Sequence, residues 1–212
     1  MSKTRGTMIE PTEVLEKYSA DVLRYYLMRE VPFNGDGDFS WARLEQRYNA
    51  DLANDFGNLV NRALSMIGRY RQGTVPKAGD PDALDGDLRA TAEKVAASYQ
   101  QRMNELDTGG ALTELWQLVT RANRYVEESA PWKLAKDPAQ ASRLDSVLYN
   151  LAESVRLISV LATPFLPTTA RQMREQLGVA EKLDRLTEEV GWGRLAAGAT
   201  IGKVAPLFPK RT

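Results

Sequence analysis

Apolar residues recur along this chain at helical spacing through most of its length. Leu88, Ala92, Val95, Tyr99, Met103 and Leu106 follow one another at i, i+3/i+4, which predicts an amphipathic helix that Gly109-Gly110 ends. Leu112, Leu115, Leu118, Val119, Ala122 and Val126 carry the same period up to Pro131. Leu144, Val147, Leu148, Leu151, Val155, Ile158 and Leu161 form a third run that stops before Pro164. A fourth follows in "PFLPTTARQMREQLG", with Gly178 as its C-terminal stop. No strand-period alternation of comparable length appears in that region. Helices of similar length joined by short Pro/Gly-marked loops predict antiparallel neighbours in an all-α bundle. The tail "GKVAPLFPKR" is expected to run extended and to pack back through Leu207 and Phe208.

The first forty residues have another rhythm. Pro11 suits a first helical turn, so "TEVLEKY" reads as a short helix. "ADVLRYYLMRE" after Ser19 reads as a second. The turn-rich "PFNGDGDFS" comes next, and its Ser40 is placed to cap the helix that follows. These signals divide the chain into a small module at 1–40 and a helical bundle at 41–212.

Residues 41–70 predict one long helix with Trp41, Leu44, Tyr48, Leu52, Leu59, Met66 and Ile67 on or near its buried side. A second stripe, Asn54, Asn58, Asn61, Arg62, Ser65 and Arg69, is less ordinary. Asparagine is a poor interior helix residue because its amide competes for backbone groups. Gly57, mid-helix, costs about 1 kcal/mol relative to alanine. The asparagines serve either as bonds between helices, with Gly57 permitting close packing, or as a binding surface. Asn58 and Arg62 lie one turn apart, and an amide with a guanidinium fork suits the donors and acceptors of base edges.

"RYVEESAPWKLAKD" poses a similar choice. A residue before proline is pushed out of helical geometry, so the helix is expected to end at Ser129-Ala130. Trp132 then either turns inward as core or stands out as a stacking surface beside Lys133 and Lys136. Aromatics flanked by cations are used to stack single-stranded bases. Trp116 lies mid-helix among leucines and reads as core, and Trp41 and Trp192 read as packing residues.

Composition narrows the chemistry. The 212 residues are 43% hydrophobic, with 28 Lys plus Arg against 28 Asp plus Glu, and contain neither cysteine nor histidine. Disulfides, thiol nucleophiles, Cys/His zinc sites and histidine acid–base catalysis are thereby excluded, and no structural metal is expected. Balanced charge argues against a generic nucleic-acid coat but leaves room for a local patch that reads a few nucleotides. No run of about 18 apolar residues and no secretory signal is present, so the expected setting is cytoplasmic, away from membranes.

Several stretches resemble the methionyl-tRNA synthetases in order and spacing. "MSKTRGT" resembles the tail of the Lys-Met-Ser-Lys-Ser loop of class I aminoacyl-tRNA synthetases. "ADVLRYYLMREVPFNGDGDFS", "RYNADLANDFGNLVNR" and "RANRYVEESAPWKLAKD" follow it, so the likeness covers nearly the whole chain. Lys3 matches the second lysine of that loop, which in the family clamps ATP during methionine adenylation. Thr4 stands where serine is commoner and Ser19 where glycine is frequent. The resemblance implies a stem-contact module at 1–40 and an anticodon-binding bundle beyond it.

It also implies that Asn58 and Arg62 read bases of a CAU anticodon and that Trp132 stacks beneath one. Arg62, Arg121, Arg124, Lys133 and Lys136 are candidates for phosphate attraction, while Asp55, Arg121 and Asn123 are alternatively candidates for holding the helices together. The partners implied are tRNA carrying CAU and, through a nucleotide-binding fold outside these 212 residues, methionine and ATP with magnesium. The chain by itself is expected to be inactive as a ligase, to need no cofactor, and to be a monomer. Two rivals stand beside this reading: a free-standing tRNA-binding module, and a helical scaffold whose tRNA surface has decayed.

Overall fold

The structure, a computed structural model, describes residues 10–31, 37–179 and 186–209. Apart from an isolated bridge between Thr74 and Thr200, every regular element among them is helical. Helix α1 (Pro11–Lys17) opens on its proline, and α2 (Ala20–Glu30) is capped by Ser19, whose hydroxyl accepts from the Val22 N–H at 3.4 Å. Ser40 caps α3 (Trp41–Arg47) in the same way. Val14, Val22, Tyr25 and Tyr26 of the first two helices are buried in one apolar cluster with the bundle, and α2 packs on helices further along the chain.

The single long α-helix expected over 41–70 needs correction. Residues Tyr48–Gly57 wind as a π-helix before α4 (Asn58–Arg71) resumes α geometry. Leu44, Tyr48, Leu52, Phe56, Val60 and Leu64 follow at intervals of four, and all are buried. An α-helix turns every 3.6 residues, so such a stripe drifts around it. A stretch of looser i→i+5 winding offsets the drift and keeps the six on one side. That strict interval is the sequence signal for the π segment.

Helix α5 (Ala83–Asn104) starts with a capping box from Asp82 and Asp85. Its end also corrects an expectation. The break falls at Leu106, which is left-handed (φ 60) and exposed rather than part of the apolar face, while Gly109-Gly110 lie inside the first turn of α6 (Thr108–Ser129). The carboxylate of Asp107 caps α6 by accepting from the Gly110 N–H at 2.8 Å, and a Cβ on Gly110 would collide with it. The pair therefore opens a helix instead of closing one.

Beyond α6 come the short α7 (Pro131–Leu134), α8 (Ala141–Ala162), α9 (Pro167–Leu177, stopped by Gly178) and α10 (Leu186–Glu189). Helix α8 is the axis of the molecule, touching α4, α5, α6, α7 and α9, and it is buried on nearly every side. Its charged pair is buried with it. The Glu153 carboxylate accepts from the Arg156 guanidinium at 2.7 and 2.9 Å and from the N–H groups of Gly193, Arg194 and Leu195. Arg156 in turn donates to the carbonyls of Glu189 and Gly191. The pair thus straps the segment after α10 onto the axis. The tail packs back as expected, with Phe208 buried against Phe56 and Tyr48.

Candidate nucleic-acid interface

Helix α6 ends where Pro131 demands. Ala130 adopts a left-handed conformation (φ 43) with its N–H bonded to the Val126 carbonyl at 3.1 Å. The chain turns sharply there, and the Lys133 N–H bonds back to the Ala130 carbonyl at 2.7 Å. Pro131 is buried, which seats α7 against α8. Trp132 is held by this turn half-buried, with part of its indole packed on the core and part left to solvent. Lys133 and Lys136 beside it are exposed.

Arg62 of α4 crosses to this turn. Its guanidinium carbon lies 6.0 Å from the Trp132 ring centroid, and its Nη2 donates to Glu127 of α6 at 2.7 Å. Asn58, one turn earlier on α4, is exposed on the same side. The structure thus brings Asn58, Arg62 and Trp132 onto one face. Glu127, which orients the guanidinium, was not among the residues singled out from sequence. Its only signal there is the acidic pair in "VEES".

The remaining polar positions separate. Arg121 is not available to a phosphate: its side chain is 12% exposed, bonded to Asp87, paired with Glu128 and set over the Tyr125 ring. Asn123 donates its amide to the Asp55 carbonyl at 3.0 Å and to the Val119 carbonyl at 3.2 Å, tying the π segment to α6. Burial, and then the charge of Asp51, raises the pKa of the Asp55 carboxyl. Arg124 is 73% exposed and bonded to Glu128 at 2.6 Å. Trp116 is buried between Tyr25 and Phe56, and Trp41 packs on Phe39 with Lys17 over its ring. Lys3 lies outside the described residues.

Next to Asn58 the surface dips into a cleft of about 420 Å³ between the asparagine stripe and the tail at Pro206–Pro209. Gly57 forms part of its lining; the missing Cβ would approach the Leu52 carbonyl at 3.0 Å and the Phe208 ring at 3.5 Å.

Comparison with known proteins gives the family. A family model described as the anticodon binding domain of methionyl tRNA ligase matches residues 75–212, and one described as tRNA synthetases class I (M) matches residues 1–64. The methionine–tRNA ligase of Caldanaerobacter subterraneus subsp. tengcongensis is 44% identical over 210 residues, covering 99% of this chain and 33% of that protein. The methionine–tRNA ligase of Bacillus subtilis is 42% identical over 212 residues, covering 99% and 32%. The chain therefore spans about a third of the length of these curated relatives. Among solved structures, Mycobacterium tuberculosis methionyl-tRNA synthetase in complex with methionyl-adenylate superposes with a TM-score of 0.92 at 33% identity, covering 99% of this chain and 41% of that one.

Proposed function

The chain belongs to the methionyl-tRNA ligases through their anticodon-binding domain, and we propose that its Asn58–Arg62–Trp132 face reads the CAU anticodon of a tRNA to be charged with methionine. The observation that carries the reading is the convergence of an exposed amide, a guanidinium fork and a half-exposed indole from two distant segments. Unpaired anticodon bases splay onto aromatic faces while their edges meet polar side chains. In this arrangement Trp132 stacks one base, and Asn58 and Arg62 offer donors and acceptors to base edges. Glu127 holds the Arg62 fork over the indole before RNA arrives. Arg124 and Lys133, exposed on the rim, attract the backbone phosphates.

The activity this serves is ATP-dependent ligation of methionine to tRNA. Lys3 is the residue of this chain assigned to ATP. Among the described residues no group of three acidic side chains is placed to hold a metal ion. Residues 1–40 act as the stem-contact module and 41–212 as the reader, working as a monomer. Among the described residues no helix is long and apolar enough to cross a membrane.

The test is a titration of the purified chain with an anticodon stem-loop carrying CAU and with loops altered at one anticodon position. Tighter binding of CAU is expected, by roughly five- to hundred-fold per altered base. Equal binding of all loops would remove the assignment.

A further inference from the structure

Resting on that reading of the face, we propose that the tail segment Pro206–Pro209 is the second wall of a nucleotide-sized cleft that takes the base next to the one stacked on Trp132. The cleft, about 420 Å³, has Asn54, Asn58 and Asn61 on one side and Pro206, Leu207 and Pro209 on the other. That volume falls within the range of small-ligand sites. Among the described residues no charged side chain lines it. A phosphate would want a cation here; a base edge, with its donors beside its acceptors, wants amides.

The amides point to a ligand by contrast with others in the same fold. Asn123 and Asn150 spend their side chains on the Asp55 carbonyl and the Tyr125 hydroxyl. Those of Asn54, Asn58 and Asn61 have no hydrogen-bond partner among the described residues. Three asparagines therefore share one stripe of a helix, where their type is unfavourable, without bonding the fold they weaken.

The wall opposite them is built and fixed. Phe208 is buried against Phe56 and Tyr48, and the Tyr48 hydroxyl donates to the Pro209 carbonyl at 2.6 Å. These anchors leave Pro206 and Pro209 exposed, flat and apolar beside the cleft. Gly57 keeps the space between clear, since a Cβ there would crowd the Leu52 carbonyl at 3.0 Å and fill the gap to the Phe208 ring at 3.5 Å.

Position selects the nucleotide. Asn58 lines the cleft and also stands one turn from Arg62 beside the indole. Four residues of α-helix advance roughly 6 Å, whereas stacked nucleotides in one strand advance about 3.4 Å. One helical turn is therefore longer than one stacked step, and the base that reaches the cleft is unstacked from the one on the indole.

The test uses CAU stem-loops in which one anticodon base at a time is replaced by its own photoreactive analogue (5-iodocytidine, 2-azidoadenosine or 4-thiouridine), irradiated with the full chain and mapped by mass spectrometry. One position is expected to cross-link to the peptide containing Pro206–Pro209, and a neighbouring position to the peptide containing Trp132. In parallel, Asn54→Ala and Asn61→Ala are titrated beside thermal melts. Each is expected to weaken CAU binding by roughly five- to hundred-fold and to erase discrimination at the position that cross-links to the tail. The slope of affinity against salt should stay that of the wild type, because no phosphate contact is lost. Cross-links confined to the peptides of α4 and α7, or wild-type binding by both variants, would overturn the tail wall, while a preference for CAU and weaker CAU binding by Trp132→Ala would keep the face reading intact. A wild type indifferent to the anticodon would overturn both.

Discussion

Helix α8 and the Tyr48–Arg71 rod both carry polar residues where a helix would more cheaply carry others, and they use them in opposite ways. On α8, the Asn150 amide donates to the Tyr125 hydroxyl, which donates to the Asp85 carboxylate, itself clamped by two Arg143 nitrogens at 2.7 and 2.9 Å. Burial, and then the bond to Asp85, pushes the Tyr125 hydroxyl pKa well up, so the tyrosine stays a donor at every physiological pH. Glu153 and Arg156 are satisfied just as fully. On the rod, the amides of Asn54, Asn58 and Asn61 find no partner among the described residues, and Arg62 finds one exposed glutamate. Buried polar groups must be paired or they destabilise the fold. Polar groups left unpaired at a surface that disfavours them in other respects are free to bind something else. The comparison separates asparagines that hold the fold from asparagines that face a ligand.

The contrast breaks most easily at its buried end. Glu153→Ala leaves Arg156 buried without its partner and three N–H groups without an acceptor, and should lower stability by about 3–5 kcal/mol. Urea titration measures the loss, and the fraction still folded should bind the CAU stem-loop as the wild type does. A loss under about 1 kcal/mol would show that the strap is not holding the segment after α10.

At the exposed end the effects should move from stability to binding. Trp132→Ala should weaken binding of the CAU loop by about 1–3 kcal/mol through one lost stacking contact. Its melting temperature should fall less than for a fully buried tryptophan, whose truncation costs about 3–5 kcal/mol. An unchanged affinity with a sharply lowered melting temperature would return the indole to the core.

Arg62→Ala sharpens the division between reading and attraction. The fork is expected to read an edge, so its loss should reduce discrimination at one anticodon base by about 1–3 kcal/mol. Parallel titrations at two salt concentrations check this. A uniform weakening across all loops, with a shallower salt slope, would make Arg62 a phosphate contact instead.

Glu127→Gln should have the smallest effect. The Arg62–Glu127 pair is exposed on one side, with side-chain accessibilities of 30% and 60%, and such pairs contribute within about 1 kcal/mol. Removing the carboxylate also removes a competitor for RNA, so CAU and altered loops should both bind slightly tighter and the gap between them should narrow. A gap that stays the same would show that Arg62 needs no holding.

Much of the architecture is legible in the sequence because it is local. Pro11, Ser19, Ser40 and Gly178 act on groups within a few residues, and each stands at the helix end its chemistry favours. Gly109-Gly110 misleads for a related reason. Glycine marks helix ends in general, and which end it marks here depends on the Asp107 carboxylate lying over it. The strict four-residue interval from Leu44 to Leu64 is visible in the sequence, yet its meaning as π winding depends on all six residues meeting one core.

The candidate site divides the same way. That asparagines and a glycine interrupt a helix, and that a tryptophan follows a break beside two lysines, is fixed by the chain itself, since propensity and proline geometry act through bonds and neighbouring turns. Whether those amides are spent was decided by tertiary structure. Asn123 meets a carbonyl on another helix and Asn58 does not, and no spacing encodes the difference. The half-burial of Trp132 was decided in the same way, by packing on the core, with Arg62 from seventy positions earlier set over its ring. Contacts between distant segments arise only when burying the apolar stripes of α4, α6 and α8 brings them together, so the residues that meet share no local pattern.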